Sequence, residues 1–454
     1  MPRMPALAKK MMPPLSRHMP ASNFPTGVHD MRLGVIADDF TGATDIAGFL
    51  VGNGLRTIQL NGVPADDLAV DADAVVISLK TRSCPTGQAI AESLAALKWL
   101  QKNNCQQFFF KYCSTFDSTP KGNIGPVTDA LLEALGEEFT VICPALPVNG
   151  RTIYNGYLFV NGVLLSETGM RNHPVTPMTD SNIMRVMESQ SRGRAGNISS
   201  TIVDQGSDAV RDALRKLQSE GIRYAVLDAL NDQHIETLGR AVSQMKLVTG
   251  GSGLADGMAR AWTQLRGKNV AAAEAAGAPV KGRTVILSGS CSQMTNAQVA
   301  AYKAKAPALA MDVEKAINDA AYIDVLAEWV LAQSGDALPP LVYATMPPEA
   351  LKAVQERFGG ERASAAIEDL FGQLAKRLEA EGFTRFIVAG GETSGAVTQA
   401  LAIDGFTIGP QIAPGVPWVR GIGKPLSLAL KSGNFGTEAF FFEAQKIANQ
   451  EGDK

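Results

Sequence analysis

The stretch Leu33-Gly-Val-Ile-Ala-Asp-Asp-Phe-Thr-Gly-Ala-Thr-Asp45 decides the fold that this chain is expected to adopt. A run of apolar residues is followed by two adjacent carboxylates, and Thr-Gly then opens a segment with helical apolar spacing. This order predicts a buried strand, a polar loop and a helix. In an open parallel sheet ligands bind beyond the carboxyl ends of the strands, so Asp38 and Asp39 are expected to face a substrate. The structural alternative is that Asp39 or Thr41 caps the helix and that Asp38 is solvated.

Predicted strands and helices alternate along most of the chain. Strands of the first half are predicted at residues 33–37, 57–60, 74–78, 107–112, 140–143, 200–203, 224–227 and 247–249. Strands of the second half are predicted at residues 283–287, 308–313, 341–344, 385–389, 427–430 and 439–442. With helices between them, these strands indicate βαβ units and a parallel sheet. The pairs Asn155-Gly156 and Asn161-Gly162 instead predict tight turns and antiparallel hairpins.

The predicted fold class is α/β, with two domains that are each a largely parallel sheet flanked by helices. An active-site cleft is expected between the two domains. The Ala- and Gly-rich segment 267–281 has little apolar sequence to anchor it and is expected to connect them. The expected boundaries are residues 31–266, a linker at 267–282 and residues 283–454. Residues 1–30 are basic and rich in Pro and Met; we expect a disordered extension there, although such a segment also weakly resembles an organelle transit peptide.

Composition excludes several classes of function. The 454 residues carry 42 Lys and Arg against 45 Asp and Glu, so nucleic acid is not an expected partner. No apolar run approaches the roughly 20 residues that a membrane span requires, and no membrane partner is expected. The five cysteines are odd in number and lack CxxC spacing, which favours reduced thiols and a cytoplasmic protein. The four scattered histidines argue against a His-based metal site and leave any metal ligands unknown.

Three glycine-rich loops in the second half predict a nucleotide site. They are Ser288-Gly-Ser-Cys-Ser292, Gly390-Gly-Glu-Thr-Ser-Gly395 and Lys431-Ser-Gly-Asn-Phe-Gly436. Glycine lets backbone N–H groups approach a phosphate closely, and a helix N-terminus adds partial positive charge. The chain has no P-loop motif, and the helix after Gly251-Ser-Gly runs into the connector, which excludes a Rossmann fingerprint. For each loop alone, an ordinary tight turn is the alternative.

Polar side chains also follow the predicted strands of the first half. Lys80 and Arg82 follow one strand, Lys111 and Asp117 follow the next, and Arg151 follows a third. Cations and hydroxyls that meet at one sheet edge suit a small anion rich in oxygen, because Arg pairs with carboxylates. For any single cation, a surface ion pair is the alternative. Asp117, which lies between hydroxyl residues, is a candidate acid or a metal-associated carboxylate.

The motifs IADDFTGATD, KTRS, STFDST with GNIG, TGGSGLA, SGSCS, GGETSG and SGNFG occur in this order from about Met31 onward. This ordered set resembles the four-carbon acid sugar kinase family, and KYCSTFDST is most similar to its branch that acts on 3-oxo-tetronate. The resemblance implies a sugar-acid-binding N-terminal domain, a nucleotide-binding C-terminal domain and ATP-dependent phosphorylation of the C4 hydroxyl of 3-oxo-tetronate. D-threonate and D-erythronate are alternative substrates. A non-catalytic sensor of sugar acids and nucleotides and a nicotinamide-dependent dehydrogenase are the more distant alternatives.

The same resemblance implies the contacts to ATP, and the polar residues at the strand ends supply the candidates for the remaining roles. The expected contacts to ATP are Ser288, Gly390, Gly391, Glu392, Thr393 and Gly433. The expected contacts to the sugar acid are Asp38, Lys80, Arg82, Lys111 and Arg151, with Arg82 or Arg151 pairing its carboxylate. Mg²⁺ would accompany the nucleotide, and Asp39, or else Asp117, would accept the proton of the attacking hydroxyl. Domain closure would exclude water. The expected partners are the sugar acid and ATP, and assembly into a homo-oligomer is left open.

Overall fold

The computed structural model describes residues 32–452, apart from residues 65–67, 69, 174–175, 268 and 334–337. The strands are β1 (Arg32–Ala37), β2 (Thr57–Asn61), β3 (Ala74–Ser78), β4 (Cys105–Lys111), β5 (Thr140–Cys143), β6 (Arg151–Tyr154), β7 (Tyr157–Val160), β8 (Val163–Leu164), β9 (Ala195–Ile198), β10 (Tyr224–Leu227), β11 (Leu247–Gly250), β12 (Arg283–Ser288), β13 (Ala308–Ala310), β14 (Leu341–Tyr343), β15 (Phe383–Ala389), β16 (Gly405–Ala413), β17 (Val416–Gly421) and β18 (Ser427–Lys431). The extension predicted at residues 1–30 lies outside the described residues.

The helices flank these strands. They are α1 (Phe40–Gly52), α2 (Thr86–Lys102), α3 (Ile124–Leu135), α4 (Ile183–Gln190), α5 (Ser200–Val203), α6 (Ser207–Ser219), α7 (Asp232–Val242), α8 (Ser252–Arg266), α9 (Val270–Ala275), α10 (Gln293–Lys303), α11 (Val313–Asn318), α12 (Tyr322–Ala332), α13 (Pro348–Phe358), α14 (Gly360–Ala380), α15 (Gly391–Ala400) and α16 (Phe440–Gly452).

Strands from both halves of the chain join in one continuous sheet. Its order is β13-β14-β12-β15-β18-β17-β16-β2-β3-β1-β4-β11-β5-β10-β9. The strands from β2 to β9 in this order are parallel, and so are those from β13 to β18. The antiparallel strands β16 and β17 lie between the two parallel sets, and β16 pairs with β2. The predicted α/β fold with two largely parallel halves is confirmed, and the structure adds that the halves share a sheet.

The parallel strands are buried on both faces, as their nearly continuous apolar sequences require. Val75, Val76 and Ile77 of β3 have no exposed surface, and Phe109 of β4 is likewise fully buried. Helices that cover both faces of a parallel sheet leave little room for polar side chains within the strands. Polar residues therefore collect where the strands end, and these strand ends carry the candidate site.

A small antiparallel sheet, β6-β7-β8, departs from the strand–helix alternation. The turn residues Asn155 and Gly156 have φ angles of 49° and 75°, and Asn161 and Gly162 have 51° and 81°. Positive φ at both central residues is what a two-residue hairpin turn requires. The predicted hairpins are therefore confirmed.

Two predicted strands are helices. Residues 200–203 form α5, and the strand of that region is β9, a few residues earlier. The apolar run at 439–442 opens α16, in which Phe440 and Phe441 pack with Trp418 in a common cluster. A short apolar run has no period that separates a buried strand from a buried helix. The predicted connector also contains structure of its own, because Asn269 caps α9 there.

Gly405 lies opposite Leu60 in the β2–β16 pairing, and a side chain there should push the two strands apart. A Cβ on Gly405 would lie 2.8 Å from both the Gln59 carbonyl oxygen and Leu60 Cδ2. We expect Gly405→Val to lower the free energy of unfolding by about 1–3 kcal/mol, as overpacking does elsewhere. Urea denaturation measures the change. The control is Gly87→Ala in α2, where a Cβ would have nothing within 4 Å; equal midpoints for both variants would contradict the prediction.

Candidate functional site

The three glycine-rich loops of the second half meet at Ser290. A Cβ on Gly390 would lie 3.1 Å from the backbone nitrogen of Ser290, and one on Gly433 would lie 2.6 Å from Ser290 Oγ. A Cβ on Gly289 would collide with Thr393 Oγ1. The loops after β12, β15 and β18 therefore touch one another only because glycine occupies these positions. The structure brings all three predicted loops to one place.

The first two of these loops border a cleft of about 300 Å³ in the second half. Gly390, Gly391, Glu392 and Thr393 line it, as do Gly289, Ser290 and Cys291. Apolar side chains of α13 and α14 form another part of the wall, among them Leu351, Val354 and Ile367. A cleft with backbone donors on one side and an apolar wall on another is typical of small-molecule sites.

Ser288 and Gly433 are not among the residues that line this cleft. Ser288 is the last residue of β12 and is fully buried, with its hydroxyl 2.7 Å from Thr345 Oγ1. Ser290, two positions later in the same motif, faces the cleft instead. Alternation along a strand would place residues 288 and 290 on the same face, so it could not have predicted this difference, which arises because β12 ends at Ser288.

Lys431 supports the third loop from below. It ends β18, it is fully buried, and its Nζ donates to Thr295 Oγ1 (3.0 Å) and to the carbonyls of Ser432 (3.1 Å) and Gly433 (2.9 Å). No carboxylate pairs with it in the described part of the chain. Burial of the ammonium lowers the pKa of Lys431 to about 7. The loop that carries Gly433 therefore depends on a lysine whose charge is costly to keep.

In the first half, Arg82 lies among three carboxylates. It donates to Asp38 through Nε (3.0 Å) and Nη2 (2.9 Å). Its Nη2 is also 2.9 Å from Asp39 Oδ1, and its Nη1 is 3.9 Å from Asp117 Oδ2. The backbone N–H of Arg82 donates to the Asp38 carbonyl as well. The ends of β1 and β3 and the loop after β4 are thereby tied together.

Asp39 caps α1, and Asp38 is buried rather than solvated. Asp39 accepts hydrogen bonds from the Gly42 N–H and the Thr41 hydroxyl, both at 2.9 Å. Burial raises the pKa of Asp39, but Arg82 and Lys111 outweigh it and hold that pKa below its ordinary value. For Asp38, burial outweighs Arg82 and raises the pKa. The cap predicted at Asp39 is therefore observed and a solvated Asp38 is not, while the expectation that the two carboxylates face a substrate stays a prediction.

Asp117 is held toward Arg82 by an unusual backbone. Phe116 is buried and has a φ of 50°, a left-handed conformation that is rare for a bulky residue. The Thr115 hydroxyl donates to Asp117 Oδ1 at 2.6 Å, and the Asp117 N–H contacts Cys113 Sγ at 3.2 Å. Strain of this kind is found where the surroundings fix a functional group.

The other predicted cations surround this cluster. Lys111 ends β4 with 2 % of its surface exposed, and its Nζ donates to the Tyr112 carbonyl at 3.0 Å. Arg151 donates to the Asn149 carbonyl through Nη1, while its Nε has no hydrogen-bond partner among the described residues. Lys80 is exposed, and its charge opposes the rise in the pKa of Glu368, which burial and Glu392 cause. Lys80 therefore faces the second half rather than Arg82.

The two halves meet along α1. A Cβ on Gly391 would lie 4.0 Å from Thr41 Cγ2, so the second loop lies near Thr41, two positions after Asp39. Further along α1, Asp45 lies beneath Gly415 of the β16–β17 turn. The carboxylate cluster of one half and the glycine loops of the other thus share a boundary. Asp45 was not singled out from the sequence, although it closes the opening motif.

Neither a membrane span nor a preformed metal cluster is found in the described part of the chain. None of its helices is both long and apolar enough to cross a bilayer. None of its groups of three or more His, Cys, Asp or Glu could hold a metal ion.

Comparison with known proteins agrees with this division into halves. Residues 33–258 match a family model described as a sugar-binding N-terminal domain, and residues 285–441 match one described as a nucleotide-binding C-terminal domain. A 3-oxo-tetronate kinase of Pectobacterium atrosepticum is 61% identical over 420 residues, which cover 92% of this chain and 99% of that protein. The 3-oxo-tetronate kinase of Salmonella typhimurium is 59% identical over 419 residues, again 92% and 99%.

A solved structure is similar over the same length. It is a Salmonella typhimurium LT2 protein described provisionally as a tRNA synthase, with a TM-score of 0.87 and 59% sequence identity. The match covers 91% of this chain and 99% of that one.

The buried ammonium of Lys431 should make stability depend on pH. Its pKa in the folded protein, about 7, lies below the ordinary value of 10.5, so between these values the unfolded chain binds more protons. The stabilising effect of Lys431 relative to Lys431→Met should therefore increase as pH rises from 7 toward 10. Urea denaturation of both proteins across this range measures the difference, with values below pH 6 as the reference. Parallel stability curves would contradict the prediction.

Proposed function

Because the chain belongs to the four-carbon acid sugar kinase family, we propose that it transfers the γ-phosphoryl group of ATP to the C4 hydroxyl of 3-oxo-tetronate. The product is 3-oxo-tetronate 4-phosphate. The observation that carries this proposal is the proximity of Thr41 to Gly391, where the polar cluster of the first half adjoins the glycine loops of the second. Phosphoryl transfer needs a nucleotide and an acceptor held together, with charge stabilised around the transferred group.

We assign the triphosphate to the loops that meet at Ser290. The second loop leads into the N-terminus of α15, where no side chain caps the first backbone N–H groups of the helix. Anions bind readily to the N–H groups at such a helix end. Gly390, Gly391, Glu392 and Thr393 form this end of the helix. Ser288 and Gly433 support the loops from behind, and the apolar wall of α13 and α14 suits the base.

The sugar acid is assigned to the cations at the edge of the first half. Arg82 already faces three carboxylates, so it is poorly placed to bind a fourth. Lys111 and Arg151 keep donors free, and we propose that they pair the carboxylate of the substrate. Arg82 then orders Asp38, Asp39 and Asp117 around the site. Lys80 stands at the boundary with the second half, where it meets the charge of Glu368.

Mg²⁺ belongs to the proposal as the partner of ATP. Magnesium keeps several of its waters and is bound through phosphates and one or two carboxylates rather than by a protein cage. Glu368 and Glu392 line the nucleotide cleft, and each raises the local negative charge that a cation would offset. The donor set therefore fits, and these two residues would hold the ion. Bound with ATP, Mg²⁺ neutralises charge on the phosphates.

We place the reaction in the cytoplasm, where ATP is available.

The test of the proposed function is an assay of ADP release with three acids: 3-oxo-tetronate, D-threonate and D-erythronate. We expect kcat/KM to be highest for 3-oxo-tetronate by about tenfold or more, because a site built for a ketone leaves groups unpaired with a hydroxyl. Phosphorus NMR of the product should show a phosphate monoester at C4. ADP release with none of the three acids would contradict the kinase proposal, and a preference for either hydroxy acid would overturn the substrate assignment.

Gly433 should be needed for ATP rather than for the sugar acid. A Cβ there would lie 2.6 Å from Ser290 Oγ and 3.0 Å from Ser292 Oγ, so Gly433→Ala should displace the first loop from the third. We expect the KM for ATP to rise by about tenfold, a loss of ~1.4 kcal/mol. The KM for the sugar acid should change little.

Gly395→Ala is the matched control for this variant. Gly395 lies within α15, and a Cβ there would have nothing within 4 Å. An equal rise in the KM for ATP in both variants would contradict the role given to Gly433.

A further inference from the structure

Asp45 carries a buried carboxylate that the roles above leave unused. It lies on α1 six positions after Asp39, with 8 % of its surface exposed. The Ser252 hydroxyl, at the start of α8, donates to Asp45 Oδ2. Oδ1 has no hydrogen-bond partner among the described residues. Buried hydrogen-bond acceptors in proteins nearly always have a donor. Asp45 Oδ1 can therefore accept a hydrogen bond from the O–H group of a bound molecule.

The charges around Asp45 suit a hydroxy acid. Lys111, at the end of β4, and Arg151, at the start of β6, are the cations that face it, and Asp39 is the anion that faces it. Neither cation forms an ion pair with Asp45 in the described residues, and Arg151 Nε is unpaired. Two cations can bind a substrate carboxylate while the free oxygen of Asp45 accepts a substrate hydroxyl.

Asp45 also faces the nucleotide-binding half. A Cβ on Gly415, in the β16–β17 turn, would lie 2.5 Å from Asp45 Oδ1 and 3.2 Å from Phe435 Cε2. Phe435 belongs to the third glycine loop, and neither residue carries a charge. Asp45 is therefore covered by the half that would present the triphosphate, and this turn must move to admit the substrate.

Asp39 and Asp117 are less free to accept a proton. Asp39 already accepts from Gly42, Thr41 and Arg82, and its capping role fixes its direction. Asp117 accepts from the Thr115 hydroxyl and faces Arg82. Burial raises the pKa of Asp45, which makes it a stronger base than Asp39, whose pKa is lowered.

We infer that Asp45, rather than Asp39 or Asp117, accepts the proton of the hydroxyl that is phosphorylated, an inference that rests on the proposed function. The proton moves from the hydroxyl to Asp45 Oδ1 as the hydroxyl oxygen bonds to the γ-phosphorus. The bond between the γ-phosphorus and the bridging oxygen breaks, and ADP leaves with that electron pair. Asp45 returns the proton to water after the product departs.

The first test compares Asp45→Asn with Asp39→Asn in the full chain. Loss of a general base costs typically 10²–10⁴-fold in rate, so we expect kcat of Asp45→Asn to fall by about that factor. Its Kd for ATP, measured by calorimetry, should stay within about threefold of wild type. Asp39→Asn retains a capping side chain but loses the ion pair with Arg82, so it should lower Tm and keep a kcat well above that of Asp45→Asn. A kcat of Asp45→Asn within tenfold of wild type, or a deeper loss in Asp39→Asn, would overturn the inference.

The second test keeps the carboxylate and changes its surroundings. The hydrogen bond from Ser252 lowers the pKa of Asp45, so Ser252→Ala should move the acidic limb of the kcat profile to higher pH. Activity above that limb should recover toward the wild-type value. If Asp45 had only a structural role, the acidic limb of the kcat profile would lie at the same pH in Ser252→Ala and in wild type. That result would overturn the inference. Failure of the proposed function is recognised separately, because wild type itself would then release no ADP with any four-carbon acid.

Discussion

The antiparallel pairing of β2 with β16 is the contact on which the arrangement of the site depends. In a flat sheet the two parallel sets would run in opposite directions, and their carboxyl ends would lie at opposite edges. Six steps separate β15 from β1. At about 20–25° of twist per step, the accumulated rotation of about 120–150° turns both sets of carboxyl ends toward the same side. The proximity of Thr41 to Gly391 agrees with this rotation.

The two halves of the chain differ in the kind of polar group that lies at the ends of their strands. The first half presents charged side chains on short loops, and the second presents glycine loops whose backbone N–H groups can approach a phosphate. In each half the arrangement has a local energetic cost: Phe116 adopts a left-handed conformation, and Lys431 is buried with no carboxylate partner among the described residues. The backbone at Phe116 orients the loop after β4, and Lys431 holds the loop after β18 through its carbonyl groups. Neither residue lines the cleft between the first two glycine loops and α13 and α14.

Much of the fold follows from the sequence because buried parallel strands are short, apolar and regularly spaced. The hairpins at Asn155 and Asn161 could be predicted from turn chemistry alone. The helix that begins at Phe440 could not, since an apolar run shows no period, and neither could the shared sheet, because strand pairing is non-local. For the site, the motifs identified loops that the structure brings together, but not which side chain faces the cleft. Ser290 and the free oxygen of Asp45 depend on contacts between distant segments.

A shared sheet also limits how the two halves can move. A pair of domains joined only by a flexible connector can swing apart as rigid bodies, but here an opening swing would break the backbone hydrogen bonds between β16 and its neighbours. Closure over the substrate must then come from elastic bending and twisting of the central antiparallel strands, with a small amplitude. If Asp45 has the role proposed for it, the turn at Gly415 that covers it has to lift locally, and the stiffness of the sheet sets how readily it does so.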